Sequence, residues 1–163
     1  MFNSVGVICK PNDFTSQKTA LELGVLLEDI GARFIQDESE INSEADLIIV
    51  VGGDGTILNT ARTYVDSNIP ILGVNLGRLG FLADVSVDSM ASAVSEILNG
   101  EFIKEQRSLL RCQIEKDGKV VSEHLAFNEV VIHRNETPRM IEFELHVDDD
   151  FVNNQREIGR AHV

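Results

Sequence analysis

Apolar residues fall along this chain in two different rhythms, and the change comes near residue 101. Before it, short apolar runs alternate with stretches at helical spacing. Val5-Gly6-Val7-Ile8-Cys9 is such a run and predicts a strand over 5–9, punctuated by Lys10-Pro11-Asn12-Asp13. Residues 15–30 show helical spacing, with Ala20, Leu21, Leu23, Val25, Leu26, Leu27 and Ile30 apolar and Gly31 as the stop. Residues 32–35 read as a second strand, and 36–44 as an acidic, polar link. Leu47-Ile48-Ile49-Val50-Val51 is the strongest strand signal, because an unbroken apolar run rich in β-branched residues suits a strand covered on both faces of a parallel sheet. A helix over 57–64, a strand over 69–74 and a helix over 87–98, stopped by Asn99-Gly100, complete this part. Alternating strands and helices imply an α/β layer fold.

Beyond residue 101 the pattern turns to alternation without helical spacing. Strands are expected over 111–115, 120–127, 129–133, 140–147 and 151–155. Lys116-Asp117-Gly118-Lys119 and Asp148-Asp149-Asp150 read as hairpin turns. The acidic triplet is read as a solvated turn in preference to a metal site, because its flanks are strand-like. The expected fold is an α/β N-terminal domain with a mostly parallel sheet over 1–100. An incomplete antiparallel all-β domain is expected to follow over 101–156.

Composition narrows the function. Of the 163 residues, 43% are hydrophobic, enough to bury a core. Acidic residues number 27 against 14 basic ones, a net charge of -13 that repels nucleic-acid backbones. A phosphate site must then work locally, through backbone N–H groups and a few placed cations. Cys9 and Cys112 have no CxxC neighbour and are expected to be buried reduced thiols. His124, His133 and His146 lack ligand spacing, so no intrinsic transition-metal site is expected. Met1-Phe2-Asn3-Ser4 runs straight into the first apolar strand, and the apolar runs are short of a membrane span. A cytoplasmic enzyme or binding protein, away from membranes, is the expectation.

The chemistry concentrates in Gly52-Gly53-Asp54-Gly55-Thr56, between the buried strand and a helix. Glycines permit positive φ and let a bulky anion approach the backbone. Exposed N–H groups and a helix N-terminus favour phosphate. Thr56 can cap the helix with its hydroxyl. Asp54 would repel a phosphate unless it accepts a proton from an attacking hydroxyl or holds a bridging metal. The plainer reading is a strand-to-helix turn with Asp54 as a solvated cap. The loop lacks the Gly-Lys-Ser/Thr ending of the P-loop and is not a GxGxxG fingerprint.

This loop resembles the GGDG motif shared by NAD kinases, diacylglycerol and sphingosine kinases, and phosphofructokinases. Gly73-Val74-Asn75-Leu76-Gly77-Arg78-Leu79-Gly80-Phe81-Leu82 and Phe127-Asn128-Glu129-Val130-Val131-Ile132-His133 resemble segments of NAD kinases, most closely bacterial ones. So do Met140-Ile141-Glu142-Phe143 and residues 151–156. The resemblance implies transfer of the ATP γ-phosphate, in some members that of polyphosphate, to the 2′-hydroxyl of the adenosine ribose of NAD. It implies Asp54 as the base or hydroxyl-orienting residue, with Gly55 beside the nucleotide. Gly52, Gly53, Gly55 and Thr56 would form the phosphate loop, with Mg2+ entering alongside ATP. Asn128 and Glu129 would hold a ribose diol of NAD, and Arg139 and Arg156 would contact NAD. Asn59 and Phe81 fall at ligand-near positions. The parent would be a homodimer or homotetramer. Two alternatives stand beside this: a non-catalytic dinucleotide- or phosphate-binding domain, and a lipid or sugar kinase with the same loop.

The resemblance breaks after Arg156, where Ile158 stands in place of a ligand-binding Asp and Glu157-Ile158-Gly159-Arg160-Ala161-His162-Val163 closes the chain. Those residues back-translate readily into a common sequencing-adapter sequence. The segment 157–163 is therefore expected to be foreign to the parent protein, and the chain as it stands is expected to be poorly soluble and inactive.

Overall fold

The computed structural model describes residues 2–77, 82, 83, 85–133, 141–157 and 160–162. The chain divides into two compact units, Met1–Arg107 and Ser108–Val163.

In the first unit, β1 (Ser4–Cys9), β2 (Arg33–Ile35), β3 (Leu47–Val51), β4 (Ile71–Asn75) and β5 (Val85–Ser86) form one sheet in the order β2-β1-β3-β4-β5. Every described pairing in it is parallel. The side-chain period of two sorts the strand residues between two cores. Val5 and Val7 of β1, Leu47, Ile49 and Val51 of β3, and Val74 of β4 meet α1 (Phe14–Asp29) and α4 (Met90–Leu98) on one face. Ile8, Ile48 and Val50 meet α2 (Glu38–Glu44) and α3 (Asp54–Thr63) on the other. β3 has helices on both faces, which is why its run carries no polar alternation.

Local chemistry starts and stops the helices where they are needed. Asp13 caps α1 by accepting the Ser16 N–H at 2.8 Å. Gly31, at φ 85, ends it in the left-handed conformation expected of that stop. Gly100, at φ 93, ends α4 likewise.

Three readings of this unit need correction. The acidic link expected over 36–44 contains the helix α2. It carries a single buried residue, Ile41, so it has no apolar periodicity to detect. What sustains it is local: Asp37 accepts both the N–H and the hydroxyl of Ser39, and Arg33 pairs with Glu40 and Glu44. The helix expected over 87–98 is a 3-10 turn at Val87–Ser89 followed by α4, because Ser86 accepts the Ser89 N–H and tightens the entry. The short β5 was not foreseen, since two residues carry no period.

In the second unit, β6 (Leu110–Lys116) pairs antiparallel with β7 (Lys119–Ala126) through a turn with Asp117 at φ 53 and Gly118 at φ 71. Two positive φ values in a two-residue loop match the twist of a tight hairpin. β9 (Ile141–Val147) pairs with β10 (Asp150–Glu157) through Asp148-Asp149, with Asp148 at φ 54. The acidic triplet is thus a turn whose last residue opens a strand. β8 (Val131–His133) pairs with β11 (Arg160–His162), a strand in a segment where the pattern predicted none. The antiparallel β region expected after the α/β part is present as these three two-stranded ladders. Met140, expected to begin a strand, lies outside the described residues.

Candidate functional site

The sheet order sends the chain from β1 outward to β2 and back across to β3. In open α/β sheets ligands bind beyond the carboxyl ends of the strands, at such a reversal. The glycine loop leaves β3 at that edge. Ser16, fully buried, ties the two strands together there. Its hydroxyl donates to the Val51 carbonyl at 2.6 Å and accepts the Lys10 N–H at 2.9 Å. On the other side, the Gly52 N–H donates to the Val74 carbonyl of β4 at 2.9 Å. The loop is therefore anchored to both neighbours of its strand.

The three loop glycines serve different ends. Gly52 is buried beneath the helix it precedes: a Cβ there would meet the Thr56 Oγ1 at 2.7 Å. Gly53 and Gly55 face open space, with nothing within 4 Å of where a Cβ would stand. None of the three adopts positive φ. The conformational argument for them is thus corrected: one glycine makes room for Thr56, and two leave bare exposed backbone.

Thr56 is not the cap. Gly53 holds that position, at φ -96 and ψ -180, and α3 has no side-chain cap hydrogen bond. Thr56 lies inside the first turn, where its N–H donates to the Gly53 carbonyl at 2.9 Å and its side chain lies against Gly52. The first N–H groups of an α-helix lack the usual partners four residues back, and the cap residue of α3, a glycine, offers them no side-chain bond. They carry the positive end of the helix dipole.

Asp54 is the first residue of α3 and is half-buried. Its Oδ1 accepts the Leu82 N–H at 3.3 Å, so the carboxylate is held by the chain returning from β4. Asp54 is thus not the solvated cap of the plainer reading: the cap lies one residue earlier. Asn59 is exposed one turn beyond Gly55 on the same helix face and accepts from Arg62 at 3.4 Å. Cys9 closes β1 at the same edge. It is half-buried, not buried as expected, and so is Cys112. Burial, then Glu38 and Asp13, push the Cys9 thiol up, which keeps it protonated and unreactive.

The remaining site residues belong to the second unit. Asn128 and Glu129 are exposed in the segment between β7 and β8; the strand expected over 129–133 begins only at Val131. Arg156 is exposed on β10 opposite Glu142, with its Nε 3.9 Å from the Glu142 carboxylate. Arg139 and Phe81 lie outside the described residues. Two residues at the carboxyl edge escaped the sequence reading. Ser16 gives no signal, as a lone serine in a helix. Asn75 stands inside the segment quoted for its family likeness, and a polar residue ending an apolar run was the cue to single it out.

A doubly wound parallel sheet with a bare glycine turn and one held carboxylate at its carboxyl edge defines an open α/β protein of the kind that binds ligands beyond its strand ends. Comparison with known proteins specifies the family. The model of the ATP-NAD kinase N-terminal domain matches residues 36–102. The NAD kinase of Hydrogenovibrio crunogenus is 54% identical over 123 residues, covering 76% of this chain and 42% of its own length. That of Nitrosomonas eutropha is 38% identical over 175 aligned positions, covering 98% of this chain and 59% of its own length. The chain belongs to the NAD kinase family, and it spans about half the length of the curated relatives it matches. The fold is shared with yeast NADH kinase complexed with NADH, at a TM-score of 0.81 and 20% identity over 96% of this chain and 53% of that one. It is also shared with an NAD kinase from Archaeoglobus fulgidus in complex with ATP, at a TM-score of 0.68 and 22% identity over 98% of this chain and 60% of that one.

Proposed function

We propose that the protein to which this chain belongs is an ATP-dependent NAD kinase that phosphorylates the 2′-hydroxyl of the adenosine ribose of NAD. The observation that carries this reading is Asp54, a carboxylate fixed by the Leu82 N–H beside an uncapped helix start. A ribose hydroxyl is a poor nucleophile at neutral pH. Asp54 orients it and takes its proton as the oxygen bonds to the γ-phosphorus and the bond to ADP breaks. The exposed backbone at Gly53 and Gly55 and the start of α3 receive phosphate oxygens, which positions the transferring group.

Mg2+ would enter as a guest of ATP, held by the substrate phosphates and water, while Asp54 keeps its role toward the hydroxyl. When bound it neutralises charge on the transferring phosphates. Asn128 and Glu129, both exposed, hold a ribose diol of NAD through an amide and a carboxylate. Arg156 and Arg139 contact NAD, and Asn59 and Phe81 lie near the ligand. The parent protein is a cytoplasmic homodimer or homotetramer that engages neither nucleic acid nor membranes. Among the described residues no helix is long and apolar enough to cross a membrane.

Asp54→Asn tests the reading. In the intact gene product, NADP formation from NAD and ATP should fall by about 100-fold or more while NAD affinity stays within about threefold. Retained turnover in that variant, or preference for a lipid or sugar acceptor in a substrate panel, would sink it.

A further inference from the structure

Asn75 ends β4 and is buried, at 7% exposure. A polar side chain in such a place is costly unless it is bonded. Its Oδ1 accepts the Gly77 N–H at 3.0 Å, which bends the chain as it leaves the strand. The chain then comes back to the glycine loop, where the Leu82 N–H donates to Asp54 Oδ1 at 3.3 Å. The next residue, Ala83, is 1% exposed and seated over Gly73 of the same strand. A Cβ at Gly73 would stand 3.2 Å from the Ala83 Cα and 2.6 Å from the Ile57 Cδ1. Gly77 and Ala83 are thus each fastened to β4, and Ala83 adjoins Leu82, the donor that holds Asp54.

We propose that Asn75 is a positioning residue for Asp54. By fixing the Gly77 N–H it sets the direction in which the chain leaves β4, and so the place where the Leu82 N–H meets the carboxylate. The effect of Asn75 on turnover rests on the kinase reading above, whereas its effect on the Leu82 hydrogen bond does not.

The test separates the two. Backbone amide exchange is measured by NMR on the intact gene product with Asn75→Ala, Asn75→Asp and Gly73→Ala. In Asn75→Ala the Gly77 and Leu82 amides should exchange about tenfold faster, with those of Ile49 and Val50 unchanged. Asn75→Asp keeps the acceptor oxygen and should restore Gly77 and Leu82. Gly73→Ala brings a Cβ against both Ala83 and Ile57, and should speed Leu82 exchange while leaving Gly77 unchanged. In the intact gene product, Asn75→Ala should lower kcat by about tenfold with KM for NAD within about twofold, because a misdirected carboxylate harms the chemical step more than binding. Unchanged Leu82 exchange in Asn75→Ala overturns the proposal, as does an equal loss of protection throughout β3, which would mark Asn75 as merely structural. Faster Leu82 exchange in a protein with no NAD phosphorylation supports the positioning and sinks the kinase reading instead.

Discussion

The two units spend the same kind of residue in opposite ways. In Met1–Arg107 the apolar strand residues are sealed: Ile48, Ile49, Val50 and Val51 are all at 0% exposure between two helical layers. In Ser108–Val163 several apolar strand residues stand open, among them Ile114 at 52% and Phe151 at 59%. Two-stranded ladders are marginal by themselves, while a sheet covered on both faces is self-sufficient. The glycine loop grows from the sealed unit. A turn that holds a carboxylate in place needs a rigid base, and the strand it grows from is packed on both faces.

The sharpest way to break this contrast is to truncate one strand residue in each unit. Ile49→Ala should cost about 2–5 kcal/mol of unfolding free energy, and Ile114→Ala within about 1 kcal/mol, in denaturant titrations read by probes in each unit. Equal costs would show that the sealed and open strands are not energetically different. A smaller effect tests how the loop is tied down. Ser16→Ala removes a hydroxyl that serves two buried backbone groups, Lys10 N–H and Val51 C=O, and should cost about 1–3 kcal/mol in the same titration. No measurable loss would mean that water replaces the hydroxyl there. The smallest effect concerns Cys9. Because its thiol is pushed up by burial, Glu38 and Asp13, the thiolate is scarce below the raised value and gains only as pH climbs through it. Alkylation by iodoacetamide at pH 8 should run several-fold slower at Cys9 than at a free cysteine, and a rate equal to the free thiol would refute the shift.

How much of this was legible in the sequence depended on how many residues shared a message. β3 and α1 were plain because long apolar runs repeat their period. α2 was hidden because its folding information lies in one buried isoleucine, one cap and two ion pairs with Arg33. The glycine loop was legible as a strand-to-helix turn but not as geometry. The cap proved to be Gly53 and not Thr56, and its glycines serve space instead of positive φ. The bond from Leu82 to Asp54 spans 28 positions, and no local pattern announces a contact of that kind.

The missing cap on α3 has a wider meaning. Glycine at a helix start is only a few tenths of a kcal/mol worse than the best capping residues. Holding Gly53 there therefore sacrifices little of the host's own stability, yet it leaves the opening turn without a bond from a capping side chain. A serine or aspartate at that position would satisfy the turn from within and compete with any visiting anion. The vacancy is inexpensive to maintain and is lost by a single side chain, so position 53 is where tolerance of folding and intolerance of function should part most clearly.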